Sequence, residues 1–351
     1  MTAQGAGRSP RILIPALAAL AVALFVLDLV LGSVTIPLGE ALRAVVGRAS
    51  DDSFNLIMGM FRLPKAVTAA LAGAALAVSG LILQTVFRNP LAGPDTLGIG
   101  SGASVGVALV ILASGGAGSA LLEGLGGFGY AALAIAASLG AGTVLAVILL
   151  LSRKFEHGVT LLIVGLLVGY LTGSLVSLLV YFGSPQKVQM YLGWTYGSFA
   201  GVRGAELPIF AGAVGLGFAL TVRSSKSLNA LLLGEKFAST LGIRVKRERT
   251  RILTAASILA GVVTAFCGPI SFLGIAAPQA ARRLFRSSDH RVLIPGSALC
   301  GACIALAADA AAQSPGGGSV LPVNPLLALI GAPMILAMIL RGSSDSGGGS
   351  R

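Results

Sequence analysis

Chemistry needs polar side chains at particular spacings, and this chain offers few. Cys300-x-x-Cys303 has the spacing of a redox or metal pair, and Cys267 precedes it. All three cysteines lie in apolar stretches with no histidine close in sequence, which favours small-residue packing over metal or disulfide chemistry. His157 and His290 fall in or beside polar loops, where a solvated imidazole is the default. Asp309 is an acid within a long apolar stretch, and in lipid such an acid is a functional candidate by default. Gly98-x-Gly100-x-Gly102 superficially resembles a phosphate-binding loop, yet no strand precedes it and no acid follows at the required distance. Gly98, Gly102 and Gly106 instead recur at every fourth position, as do Ala69, Gly73 and Ala77, a spacing that lets helices approach closely in lipid. No G-x-x-x-x-G-K-[ST] loop occurs anywhere in the sequence. The residues present neither a catalytic constellation nor a metal-ligand set.

The elements that carry these residues read as membrane helices. Of 351 residues, 55% are hydrophobic and 11% charged, with a mean hydropathy of +0.90. A soluble domain carries about 25% charged residues, so a soluble enzyme is excluded. No Asp, Glu, Lys or Arg occurs in 66–87, 96–122, 124–152, 158–186, 252–281 or 310–340. Each of these exceeds the roughly 20 residues that cross a ~30 Å hydrocarbon core. Shorter gaps at 12–27, 207–222 and 292–308 are further candidates, and the alternation of a β-barrel is missing. The expected fold class is an all-α polytopic membrane protein. Ten helices are expected near 12–32, 62–86, 96–114, 130–151, 158–182, 205–222, 250–267, 271–285, 291–312 and 321–340. Gly268-Pro269 cuts 252–281 into a full helix, a turn and a short helix. Residues 1–11 precede the helical domain 12–340, and the Gly/Ser-rich 341–351 is expected to be a disordered tail. Arg8 and Arg11 followed by an apolar run could begin a signal peptide, but the run is long for one, which favours a retained first helix.

Charge placement sets orientation. The net charge of +12 lies between spans, which speaks for topology rather than nucleic-acid binding. One side collects 19 of the 25 Lys and Arg, including the loop 223–251, and is expected to be cytoplasmic with both termini. That loop carries eight bases. Within it, Ser227 can cap a short helix that Gly234 stops, and a second helix 235–241 ends at Gly242. Two short amphipathic helices suit docking to a protein partner or lying in the interface; a basic loop that only sets orientation is the alternative.

Several motifs occur together in order: Arg62-Leu-Pro-Lys65, the run 72–84, Arg88-Asn-Pro-Leu-Ala-Gly-Pro-Asp-Thr-Leu-Gly98, Leu233-Gly-Glu-Lys-Phe-Ala-Ser-Thr-Leu-Gly242, Gly268-Pro-Ile-Ser-Phe-Leu-Gly274, Asp289-His-Arg-Val-Leu-Ile-Pro295 and Gly331-Ala-Pro333. On these the chain resembles, over about residues 10–340, a permease subunit of the FecCD family of iron-chelate and vitamin B12 ABC importers (type II importers). The resemblance implies a ten-helix permease in the bacterial cytoplasmic (inner) membrane. It implies pairing with a second permease subunit, identical or related, two ATP-binding subunits holding ATP and Mg, and a periplasmic or lipid-anchored substrate-binding protein. No cofactor is implied for this chain. The cargo implied is an iron chelate (siderophore, ferric citrate-type complex or haem), with cobalamin as the alternative. An ion-driven secondary transporter fits less well, because the spans are nearly charge-free and no internal repeat stands out. A membrane scaffold is a further class, distinguished by whether an ATPase co-purifies.

Carried over by residue, the resemblance makes 227–242 the ATPase-coupling segment, with Leu231, Leu232, Gly234, Glu235, Phe237, Leu241 and Gly242 as the contact positions. Gly158, Val159 and Thr160 match the cytoplasmic gate, for which a plain hairpin turn is the alternative. Arg62 and Lys65 match two basic positions that meet acids of the binding protein at the outer mouth; the third such position is Gln313, a departure that weakens electrostatic docking, as does Lys65 where the family has arginine. Helix-end anchoring is the alternative for Arg62 and Lys65. Asp309 then reads as a structural polar contact, and Gln279 stands where the family often has histidine. The fifth span and 191–199 are expected to line the pathway, with an interfacial belt as the alternative for Trp194.

Overall fold

The computed structural model describes residues 10–32, 34, 36–113, 127–154, 158–202, 204, 206–313 and 320–346. Among these every regular element is helical and no strand occurs. The helices are α1 (Pro10–Val30), α2 (Leu38–Val45), α3 (Asp52–Ile57), α4 (Leu63–Phe87), α5 (Ile99–Ala108), α6 (Gly127–Lys154), α7 (Gly158–Phe182), α8 (Pro185–Thr195), α9 (Glu206–Arg223), α10 (Ser225–Leu233), α11 (Glu235–Thr240), α12 (Val245–Cys267), α13 (Leu273–Phe285), α14 (His290–Ala312) and α15 (Val323–Ser346). A π-helical turn, Met58–Arg62, joins α3 to α4, so Asp52–Phe87 forms one 36-residue rod.

Seven helices are long and apolar enough to cross a membrane, and Ile99–Leu112 and Val323–Ala337 are shorter apolar ones. With the 13-residue α13, these fall at the ten positions expected from the sequence. At 1.5 Å per residue α13 is about 20 Å long, too short to span alone. It follows the break at Gly268, whose φ of +75° ends α12 and which only glycine adopts without strain. Two boundaries move. The first helix begins at Pro10, a residue preorganised for a helix start, and the last continues through Ser346, past the expected tail boundary. Residues 1–9 and 347–351 lie outside the described residues, as do 155–157 with His157.

The centre of the bundle is α4, 78% of whose apolar window is buried, flanked by α12 and α14 at 67% each. Small residues put it there. A Cβ on Gly73 would lie 2.3 Å from the Gly301 carbonyl oxygen, and one on Gly80 would lie 1.6 Å from that of Gly274. Backbone contact this close replaces the hydrophobic force that lipid removes. The glycine ridge of α5 packs likewise: a Cβ on Gly102 would lie 2.6 Å from the Gly140 oxygen, and one on Gly106 2.0 Å from that of Ala136. Gly98 differs from the other two. It stands at the cap of α5 with φ +71° and faces Gly165 and Gly169 on α7 rather than α6. The cysteines are buried thiols: Cys267 in α12, Cys300 and Cys303 in α14.

Candidate functional site

At the end of the bundle bearing the basic loop, α10 and α11 meet at Gly234, whose φ of +122° belongs to glycine. Ser227 does not cap α10. The helix starts at Ser225, after Ser224 at the cap position, so Ser227 lies within its first turn. The apolar residues divide into two faces. Leu228, Leu231 and Ala238 are buried against the bundle, whereas Leu233, Phe237 and Leu241 are exposed. Leu231, expected on the docking face, is therefore a core residue. Leu233, two residues on in the same helix, lies about 200° around it and is exposed. Leu232 is half-buried, and Gly242 (φ +79°) ends the pair in an exposed turn.

Two polar links tie this surface to the long helices. Glu235 pairs with Arg249 of α12, and Arg88 Nη2 donates to the Leu231 carbonyl at 3.1 Å. A further junction was not foreseen. His290, expected to be solvated, is fully buried. Its Nδ1 lies 2.7 Å from Asn229 Oδ1 on α10, and its Nε2 lies 2.8 Å from Thr85 Oγ1 on α4. Asn229 Nδ2 donates to Asp289 Oδ1 at 2.7 Å, and Asp289 caps α14 by accepting from the Arg291 N–H at 2.9 Å. That backbone N–H first, then the Asn229 amide, hold the Asp289 carboxyl below the usual aspartate range. The sequence marked only the helix start at Asp289-His290; the partners Asn229 and Thr85 lie 61 and 205 residues away. Gln279 Nε2 donates to the Pro90 carbonyl at 2.9 Å and to Gln84 Oε1 at 3.2 Å. It thereby joins α13 to α4.

At the opposite end, Arg62, Lys65 and Gln313 make contacts within the chain. The Arg62 guanidinium, 6% exposed, donates to the carbonyls of Leu29 (2.8 Å), Val30 (2.9 Å) and Val34. These oxygens lie at and just beyond the end of α1 and have no helical partner of their own. Gly32 leaves the room the guanidinium needs. Lys65 Nζ lies 2.8 Å from Asp309 Oδ2 and 3.9 Å from Asp28 Oδ1, and Gln313 Nε2 donates to both acids, at 2.8 Å to Asp28 and 3.1 Å to Asp309. The anchoring alternative thus describes what these side chains do here, and Asp309 has the structural partner expected of it. The desolvation of a buried carboxylate is offset only by such close pairing. Glu40 stands outside the spans on this end. The Ser50 backbone N–H and hydroxyl hold its carboxyl below the usual range.

Gly158, Val159 and Thr160 form the first turn of α7; only Thr160 has a described side chain, half-buried. Beyond it α7 is the barest long helix, 6% of its apolar window buried, with Leu167, Tyr170, Leu171 and Phe182 exposed. Tyr191 is buried on α8, its ring 6.3 Å from that of Trp194.

Seven helices long and apolar enough to cross a membrane, packed around a small-residue helix, make this a polytopic membrane protein. It carries a bare apolar helix on one side and a pair of short helices at the end bearing the basic loop. The chain belongs to the FecCD transport family, whose profile matches residues 20–341. It is 34% identical over 316 residues to the hemin transport system permease protein HmuU of Yersinia pestis, covering 89% of this chain and 92% of the relative. It is 36% identical over 290 residues to the cobalamin import system permease protein BtuC of Halobacterium salinarum, covering 82% and 74%. Its fold matches an inward-facing structure of a metal-chelate type ABC transporter at a TM-score of 0.78 and 29% identity, covering 95% and 99%. The chain has the type II importer permease fold and is a multi-pass permease of an ABC importer, a family that works with an ATPase and a substrate-binding protein.

Proposed function

We propose that this permease carries an iron chelate (a siderophore, a ferric citrate-type complex or haem) across the bacterial cytoplasmic membrane. The observation that carries this is the near full-length likeness to a haemin permease, joined by the match to a metal-chelate transporter. The likeness to cobalamin permeases keeps cobalamin as the second reading.

In this account the basic end faces the cytoplasm with both termini. The exposed Leu233, Phe237 and Leu241 enter a cleft of the ATPase, and the Glu235–Arg249 pair transmits its motion to α12. Two ATPase subunits hold ATP and Mg; this chain holds no cofactor. A second permease subunit, identical or related, covers the bare face of α7, which with 191–199 lines the pathway, and Gly158–Thr160 closes its inner end. A periplasmic or lipid-anchored binding protein docks at the opposite mouth, whose shape Arg62, Lys65 and Gln313 maintain from within.

Uptake of radiolabelled iron by iron-starved cells, with the chain deleted and restored, tests the cargo. Loss of one chelate from a panel of siderophores, citrate and haem supports the proposal. Unchanged iron uptake with loss of labelled cobalamin moves it to the vitamin.

A further inference from the structure

A cavity of about 560 Å³ opens between α6, α9 and α12, within the ~300–1,000 Å³ range of ligand sites. Its wall is almost wholly apolar. One end lies at Glu206, the first residue of α9, and the other at Leu145 and Ser257, deep in α6 and α12. From Ala134 to Leu145 the α6 wall rises about 16 Å, half of the ~30 Å hydrocarbon core. The cavity therefore starts at the membrane surface away from the basic loop and stops near the bilayer centre. Its rim residues Ile135, Leu139 and Ile209 are exposed, so it is continuous with the surface that lipid covers.

Its floor is incomplete. On these same three helices Ser138, Thr221 and Thr264 donate to the carbonyl four residues back, at 2.7, 2.9 and 3.0 Å. Ser257 does not. Its hydroxyl is buried, lines the cavity and has no hydrogen-bond partner. A Cβ on Gly142, in the wall, would meet nothing within 4 Å. A partner helix would run the whole core, whereas a phospholipid chain ends where this cavity ends.

We infer that the α6–α9–α12 cleft holds one acyl chain of a phospholipid from the leaflet at the Glu206 end. The inference depends on the chain crossing a bilayer and not on its cargo.

The test places benzoylphenylalanine at position 139 of the full chain in vesicles of phosphatidylethanolamine and phosphatidylglycerol. The control carries it at position 20, exposed on α1. After illumination, intact-mass spectrometry is expected to show one phospholipid adduct at position 139, at least fivefold weaker with Gly142→Leu or Ala213→Leu filling the cleft. The adduct at position 20 should be unchanged by either variant, and a cooperative thermal transition shows that they fold. Equal lipid yields at both positions, or a yield at 139 unaffected by both fillings, overturns the inference. So does an adduct with a second copy of the chain or of any other mass.

Discussion

Thr85 Oγ1 on α4 and Asn229 Oδ1 on α10 sit on opposite nitrogens of one buried imidazole, His290, at 2.8 and 2.7 Å. The central helix of the bundle and the first helix of the docking surface are thereby fixed to the start of α14. Asn229→Ala leaves the imidazole Nδ1 and the His290 backbone N–H without their acceptor. A buried unsatisfied group costs about 1–3 kcal/mol, so the thermal midpoint should fall and hydrogen exchange over 225–240 should rise. Unchanged protection of that segment would remove the junction from the coupling path.

The Glu235–Arg249 pair joins the docking surface to α12. Glu235→Arg sets two cations against each other and is expected to lower ATP-driven uptake at least tenfold while the permease still folds. Adding Arg249→Glu should restore most of it. Uptake in reconstituted vesicles checks both, and failure of the swap to rescue would show that Glu235 acts on the partner alone.

Burial separates two leucines of one helix. Leu233→Asp, at an exposed position, should leave the thermal midpoint within about 0.5 kcal/mol of wild type in stability yet abolish co-purification of the ATPase. Leu231→Asp, in the core, should prevent folding. Retained ATPase binding by the Leu233 variant would place the contact elsewhere.

Lys65 lies between two buried acids, so Lys65→Met should destabilise the permease by about 3–5 kcal/mol, the cost of breaking a buried pair from one side. Replacing Asp28 and Asp309 by leucine in the same chain should recover much of that loss. Thermal unfolding in detergent reads both effects. A neutral Lys65→Met would show that the acids have another source of charge balance.

Asp289 gives the pH dependence. Its carboxyl is held below the unfolded value of about 3.9, first by the Arg291 N–H and then by the Asn229 amide. The stabilisation is therefore complete above about pH 4 and is lost as pH falls through the lower folded value. The midpoint difference between wild type and Asp289→Asn should be present at pH 6 and shrink by pH 3. A difference that stays constant would assign the cap's effect to shape alone.

The helices were legible because a membrane span is a composition: the charge-free runs and the Gly268-Pro269 break marked the positions of all ten. The pair of short helices was legible from Gly234 and Gly242, but its exposed face was not. Leu231 and Leu233 lie about 200° apart around α10, and the way that helix seats on the bundle decides which is outside. The internal partners of the charged residues at the opposite mouth were not legible, for a related reason. A base at a helix end looks the same in sequence whether it faces a partner or caps α1, and Arg62 is satisfied by carbonyls 28 to 33 residues away. His290 was missed because its partners, Thr85 and Asn229, are remote in the chain.

The most direct test of the central claim uses the importer purified through a tag on this chain, with the ATPase and binding protein that accompany it, in sealed vesicles. Radiolabelled iron chelates and labelled cobalamin are offered with and without ATP on the ATPase side. The account predicts accumulation of an iron chelate that requires ATP and fails with Leu233→Asp. Accumulation driven by an ion gradient without ATP, or of cobalamin alone, would contradict it.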